Sequence, residues 1–446
     1  MALGGGSWLT QNKVLPGSYI NFASLAKASA TLSDRGIAAA PFILSWGAEG
    51  AVIPVTAADF QKNSKKLFGY GYDAPEMLAL REIFSNATKV YCYRLGTSTK
   101  ASNNFATAKY GGTRGNNLTI KISTDVDDSN YYIVQTLLDG IAVDEQRAKT
   151  AADLVANDFV VFKTSGVTLA DNAGVPLTGG ANCASITGTH YQAFLDAIES
   201  YSFNTLCCPV KPLDSDSGAS ASTVALFVQF TKRMRDEVGA KFQLCAIQPT
   251  ADTEGVIGVW NTAKTAAGAD TDALVYWVAG AQAAVAVNKS LTNSKYNGEL
   301  TINTDYTQAE LEAAIKAGKF MFHNVNGDTR VLEDINTLVT LTAEKGEIFQ
   351  SNQTVRVCDQ IANDVAVLFN TRYVGIVPND ASGRATLWND IVKLIQQLET
   401  LRAVEDFDPD TVSVDIGDRK GSVLLTVDGL NIVNAMSQLY MSVIIQ

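Results

Sequence analysis

Short apolar runs that read as buried strands alternate with stretches whose apolar residues recur at helical spacing, and this alternation restricts the fold most. Thr205 to Val210 is one such run, after which Val224, Phe227, Phe230 and Met234 trace a helix face that Ser222 can cap. Phe242 to Gln248 is the next strand, Asp272 to Val287 an Ala-rich helix, and Lys319 to Val325 a strand again. Helices of this length between strands impose crossover connections, hence a parallel or mixed sheet. The same grammar runs from Ile37 to Leu95. Ile37 to Trp46 is apolar, Pro75 sits at a first helical position ahead of Met77, Leu80, Ile83 and Phe84, and Val90 to Leu95 is a strand. The chain is expected to be an α/β multidomain protein.

The pattern breaks between about Thr97 and Gly180, where Leu118 to Ser123 and Tyr131 to Leu138 carry strand composition and Asp139-Gly140 and Asp171-Asn172 mark turns. This predicts a β-rich inserted domain, with one helix near Ala151. The last hundred residues hold a helix stripe of Val355, Cys358, Ile361, Val365, Leu368 and Phe369, and a second of Leu387, Ile391, Leu394, Ile395, Leu398 and Leu401. Two alternating strands follow, Val412 to Ile416 and Ser422 to Val427. The run Leu439, Tyr440, Met441, Ser442, Val443, Ile444, Ile445 then reads as a strand with no partner after it. Near the other terminus Ser18, Tyr19, Ile20, Asn21 and Phe22 form a short strand between polar segments. Such strands are arms that need a sheet elsewhere. The expected division is an N-terminal arm (1–34), an inner α/β domain packed with the C-terminal domain (35–96), the β-rich insertion (97–180), a second α/β domain (181–345), a C-terminal α/β domain (346–428) and a C-terminal strand arm (429–446).

Charged residues are only 18% of the chain, below the roughly 25% of an ordinary globular protein, which suggests surface hidden against other subunits. The net charge of −11 argues against coating nucleic acid, which needs a basic face. No signal-peptide pattern opens the sequence, and the longest near-apolar stretch, Leu274 to Val287, falls short of a membrane span. Stable membrane insertion is not expected, and a cytoplasmic origin is. The six cysteines lack CxxC pairing and read as small buried hydrophobes.

No catalytic constellation emerges. His190 and His323 are the only histidines, no GxSxG elbow surrounds a serine, and both histidines read as structural. The glycine-rich Tyr110-Gly111-Gly112-Thr113-Arg114-Gly115-Asn116-Asn117 matches no phosphate-binding loop. Asp125, Asp127 and Asp128 lack the spacing of a calcium loop. No enzyme activity, metal or cofactor is expected.

Five blocks in order resemble the contractile phage tail sheath family, in its Gram-positive phage and phage-tail-like bacteriocin branch. They are Leu15-Pro16-Gly17-Ser18-Tyr19-Ile20-Asn21-Phe22, Arg35-Gly36-Ile37-Ala38-Ala39-Ala40-Pro41, and Tyr110 to Asn116. Phe369-Asn370-Thr371-Arg372-Tyr373-Val374-Gly375 with Pro378-Asn379-Asp380 and Gly383-Arg384 is the fourth, and Ala435 to Met441 the fifth.

The resemblance implies a subtilisin-like α/β domain over 181–345, in shape only. It implies a homo-oligomer of stacked hexameric rings around an inner tail tube protein, with baseplate and tail terminator proteins as further partners. Such a sheath contracts to drive the tube through a cell envelope. It belongs to a virion tail or phage-tail-like particle, assembled in a bacterial host's cytoplasm. The two strand arms would then pair with sheets of neighbouring subunits. In such sheaths a helix of the C-terminal domain touches the tube. The helix from about Arg384 to Arg402 is expected in that role, with Asn389, Lys393, Gln396, Gln397 and Thr400 facing outward. A degenerate or active subtilisin-like hydrolase is the alternative reading, and an extracellular lattice or adhesin protein the third.

Overall fold

The computed structural model describes residues 32–212 and 219–445. Its central sheet has seven strands: β1 (Ile37–Phe42), β2 (Val52–Thr56), β3 (Lys89–Arg94), β4 (Thr205–Cys208), β5 (Gln243–Ile247), β6 (Val256–Val259) and β7 (Lys319–Phe320). They lie in the order β7-β6-β5-β4-β1-β3-β2, parallel throughout except for β2, which runs antiparallel to β3. The helices are α1 (Ala57–Phe68), α2 (Leu78–Phe84), α3 (Gly188–Ile198), α4 (Ala219–Arg233), α5 (Leu274–Ala284), α6 (Gln308–Lys316), α7 (Asn352–Arg372) and α8 (Ala381–Thr400).

Helices cover both faces of the sheet, which is why its strands read as continuous apolar runs. Alternate residues of β1 serve opposite sides. Ala38 and Ala40 join the cluster containing Leu80 and Ile83 of α2 and Val275 and Val278 of α5. Ala39 joins the cluster containing Phe194 and Leu195 of α3 and Phe227 and Val228 of α4. The helices on the first face lie close: a Cβ on Gly280 of α5 would stand 2.2 Å from the Ile83 carbonyl oxygen.

Residues 35–96 do not stand apart from 181–345, contrary to expectation. They supply β1, β2 and β3, and β1 pairs directly with β4, Ala38 opposite Thr205. A buried parallel strand carries no local mark of which distant strand it will join.

The inserted residues leave after β3 and return before α3. Their antiparallel sheet has four strands, in the order Ile141–Ala148, Tyr132–Leu138, Leu118–Thr124, Asn172–Pro176, and Ala106–Ala108 pairs separately with Val160–Phe162. The helix expected near Ala151 is a single 3₁₀ turn, Ala151–Asp153.

Two compact units emerge among the described residues. One comprises 33–363, 398–407 and 430–445; the other includes 364–397 and 408–429. The expected C-terminal domain, 346–428, is therefore divided between them. In the second unit, Leu387, Ile391, Leu394 and Ile395 of α8, together with Leu368, Tyr373 and Val412, are buried. Strands Val412–Ile416 and Val423–Val427 form its hairpin.

Candidate functional site

Helix α8 buries Leu387, Ile391, Leu394, Ile395 and Leu398, as its periodicity demands. Leu401, assigned to the same stripe, is 44% exposed. The helix has ended at Thr400 and Arg402 takes a φ of 59°, so helical spacing no longer sets the direction of that side chain. On the opposite face Asn389, Lys393, Gln396 and Thr400 are exposed and Gln397 is half-buried. Asn389 donates to the Ala385 carbonyl at 2.8 Å, and Gln397 Oε1 accepts from the Leu32 backbone N–H at 3.2 Å. Gln396 and Thr400 have partners too. Lys393 presents its charge with no ion pair among the described residues.

The fourth motif block holds the hairpin in place. Asn379 Nδ2 donates to the carbonyls of Lys420 and Ser422, at 3.0 and 2.8 Å, on the hairpin turn. Arg384 in turn donates to Asn379 Oδ1 at 3.1 Å. Asp380 accepts from the Gly383 N–H at 2.7 Å, occupying a donor of the first turn of α8. A Cβ on Gly383 would stand 2.1 Å from the Pro378 carbonyl oxygen, so this turn tolerates only glycine. Tyr373 donates to the buried Asp390 at 2.6 Å, and Arg372 pairs with the same carboxylate at 2.7 Å. Burial and the neighbouring Asp390 push the Tyr373 hydroxyl well above its ordinary pKa. The hairpin is two-stranded among the described residues, so each strand has one open edge, and Ile416 and Leu424 are exposed.

The C-terminal arm differs from its expected form. Among the described residues, 433–445 pair with no strand, and a strand exists only where a partner completes its ladder. They expose Met436, Leu439, Tyr440, Met441, Val443, Ile444 and Ile445, each by more than two thirds. Ser442 is exposed with them. Ser18, Tyr19, Ile20, Asn21 and Phe22 lie outside the described residues.

The third motif block joins the insertion to the sheet. Asn116 and Gly180 exchange reciprocal hydrogen bonds at 2.9 and 2.8 Å, closing the neck of the insertion. A Cβ on Gly112, which has a φ of 113°, would stand 2.1 Å from the Ser45 carbonyl oxygen. Arg114 donates to the Gly69 carbonyl at 2.7 Å and pairs with Asp139. Sequence reasoning missed Arg94, at the end of β3. This buried guanidinium donates to the carbonyls of Leu44, Gly47 and Gly111 and to Ser98 Oγ, and lies 3.3 Å from Glu49. It missed a second buried group as well, in which Arg356 donates to Asp334 and Gln282, and Asn352 donates to Asp334. Neither arginine belongs to a motif, so only its burial reveals it.

Among the described residues, neither histidine meets both a nucleophile and an orienting carboxylate. His190 Nδ1 accepts from the Thr187 N–H at 3.0 Å at the start of α3, and Nε2 lies 4.0 Å from Cys183 Sγ. His323 sits in a separate hairpin, Phe322–Val325 with Asp328–Val331, opposite Arg330, and burial and that guanidinium hold it below its ordinary pKa. No group of three or more metal-ligating side chains occurs among the described residues, and no described helix is long and apolar enough to cross a membrane.

Four stretches match families in succession. Residues 35–95 match the N-terminal region of domain III of the tail sheath protein Gp18, and 95–182 the phage tail sheath protein β-sandwich domain. Residues 184–337 match the phage tail sheath protein central domain, and 344–446 the phage tail sheath C-terminal domain. The chain is 32% identical to the phage-like element PBSX protein XkdK of Bacillus subtilis, over 95% of this chain and 96% of that one. It resembles the crystal structure of the sheath tail protein from Desulfitobacterium hafniense with a TM-score of 0.76 and 36% identity, covering 90% of this chain and 93% of the other. The fold also extends to the contracted helical sheath of the anti-feeding prophage, at a TM-score of 0.55 and 13% identity, covering 97% and 99% of the two chains. With matches running in succession from residue 35 to residue 446, then, the chain belongs to the contractile phage tail sheath family, whose members are structural proteins and not enzymes.

Proposed function

We propose that this chain polymerises as stacked hexameric rings around an inner tail tube and shortens to drive that tube through a target envelope. The observation that carries the reading is an unpaired apolar segment, residues 439–445, in the same chain as a hairpin with open edges. Lent to the hairpin of a neighbouring copy, the segment completes the sheet by strand addition. The main sheet is the poorer recipient. Its edge strand β2 carries Pro54, which cannot donate to a ladder, and β7 at the other edge has two residues. Such donor and acceptor patches differ, so the contact is heterologous and propagates. The N-terminal Ser18 to Phe22 would serve as a second arm.

Magnitudes favour many weak stitches. A docked strand buries alternate side chains, at about 1.5–3 kcal/mol each. Ordering its backbone costs about 1–2 kcal/mol per residue. One arm is therefore a modest tether, and the lattice is held by their number. That suits a body whose subunits rotate and slide while remaining joined. In this reading the polar face of α8 meets the tube, the baseplate triggers contraction and a terminator protein closes the far end. The particle is a virion tail or a phage-tail-like body assembled in the host cytoplasm, and the α/β body keeps a subtilisin-like shape without its chemistry. Removing residues 436–446 should leave a folded protein that sediments as a monomer. Long tubes formed by that truncated chain would overturn the shared-sheet reading.

A further inference from the structure

The root of the C-terminal arm is held by one side chain that imitates a strand. Gln353, in the first turn of α7, is 2% exposed and uses both ends of its amide on the backbone leading into the arm. Its Nε2 donates to the Val433 carbonyl at 3.0 Å, and its Oε1 accepts from the Ala435 N–H at 3.0 Å. A residue of a parallel strand makes this same pair of bonds, to the carbonyl before and the N–H after the residue it faces. Gln353 thus stands where a strand residue opposite Asn434 would stand. The neighbouring Thr354 hydroxyl donates to Asn434 Oδ1 at 3.2 Å. On the main-chain side, Asn431–Ile432 pairs with Val404–Glu405, and the Val433 N–H donates to the Ala403 carbonyl at 3.0 Å. From Met436 onward the side chains are exposed.

We infer that Gln353 is a positioning residue for assembly: its amide sets the arm root in extended conformation and aims the ten residues 436–445 at the acceptor sheet of a second copy. This rests on the proposed exchange of strands between subunits. Extended, those residues reach about 33 Å at roughly 3.3 Å each. A swivelling root would spread that reach over many directions, so fixing it raises the effective concentration of the arm at its target. Load on an arm would also pass into α7. The turn after Gln353 carries Arg356, which is tied to Asp334 and to Gln282 of α5.

The test combines Gln353→Ala, Gln353→Glu and removal of residues 436–446. In Gln353→Ala, exchange of the Val433 to Ala435 amides should accelerate while the thermal midpoint stays near that of the parent. The concentration needed for tubes should rise about tenfold, the equivalent of one or two lost hydrogen bonds. In Gln353→Glu, a protonated carboxyl can donate to Val433 and accept from Ala435, whereas a carboxylate repels the Val433 carbonyl. Tubes should therefore form near the parental threshold at about pH 4, below the ordinary glutamate pKa, and not at about pH 8, with the parent alike at both. Gln353→Ala with unchanged exchange at 433–435 overturns the inference. So does an unchanged threshold in a background where removing 436–446 abolishes tubes. If the truncated chain still forms tubes, strand exchange itself fails, and the exchange data alone then decide whether the amide holds the root.

Discussion

Glu82 of α2 is 1% exposed and accepts from the Tyr296 hydroxyl at 2.6 Å and from the Glu299 N–H at 2.7 Å. Burial raises its carboxyl above the ordinary 4.5, against the lowering effect of those bonds. The folded state therefore holds the proton more tightly than the unfolded chain, and stability falls as pH rises from about 4.5 through the raised folded value. In Glu82→Gln that fall should be missing, which urea midpoints measured at successive pH values would show; parallel curves for the two proteins would refute it. The thiols give a second test at this scale. Burial pushes Cys208 up to about 12 and Cys358 up to about 11, and raises Cys92, Cys207 and Cys245 well above the ordinary 9.0. Cys183 and Cys358, the latter on α7, are half-buried, whereas Cys92, Cys207, Cys208 and Cys245 are buried in the sheet. An aromatic disulfide reagent should label Cys183 first, Cys358 slowly, and the four sheet thiols only on unfolding.

At the scale of elements, α8 carries the tube contact in the proposed assembly, and Lys393 is the charge it offers. Contacts of exposed charged groups are weak singly, about 0–1 kcal/mol, which suits a surface that must release when the sheath slides. Lys393→Glu should leave the subunit folded and self-assembling but impair assembly templated on tubes. Unimpaired templating by this variant, alongside its loss through a change elsewhere, would move the contact off this helix. Gln396, Gln397 and Thr400 already have partners in the free chain, so only part of the expected face is open. The C-terminal segment shows the opposite limit of element reasoning. Its composition is that of a strand, yet without a partner it has no ladder, because strand structure is a property of pairs.

For the molecule as a whole, the insertion is bound to the sheet by buried polar joints, so the two should move together. Arg94 is central to that joint: it is 3% exposed and shared among carbonyls of the β1–β2 connection and the neck of the insertion. Arg94→Ala strands those acceptors and should cost about 3 kcal/mol, within the range for breaking a buried charge pair. Arg94→Lys should recover less than half of that in urea unfolding, since an ammonium cannot reach the same spread of acceptors. Loss of well under 1 kcal/mol in Arg94→Ala would mean that the joint is held by the apolar packing of Trp46 against Tyr110 and Phe159 instead.

What the sequence determined by itself was whatever depends on neighbours along the chain. Helical stripes such as Leu387 to Leu398, the strand grammar of Thr205 to Val210, the β-rich character of 97–180 and the ordered motif blocks are all local. They were enough to expect a sheath protein and no catalysis. Tertiary structure alone decided what depends on residues far apart. It placed β1 beside β4, so that 35–96 and 181–345 share one sheet, and gave Asn379, Asn116 and Gln353 their partners across turns and necks. It also buried Arg94 and Arg356, whose exposure cannot be read from their neighbours. A parallel strand or a long polar side chain chooses its partner by which backbone groups the finished fold leaves unsatisfied, and that choice exists only once the chain has closed around them.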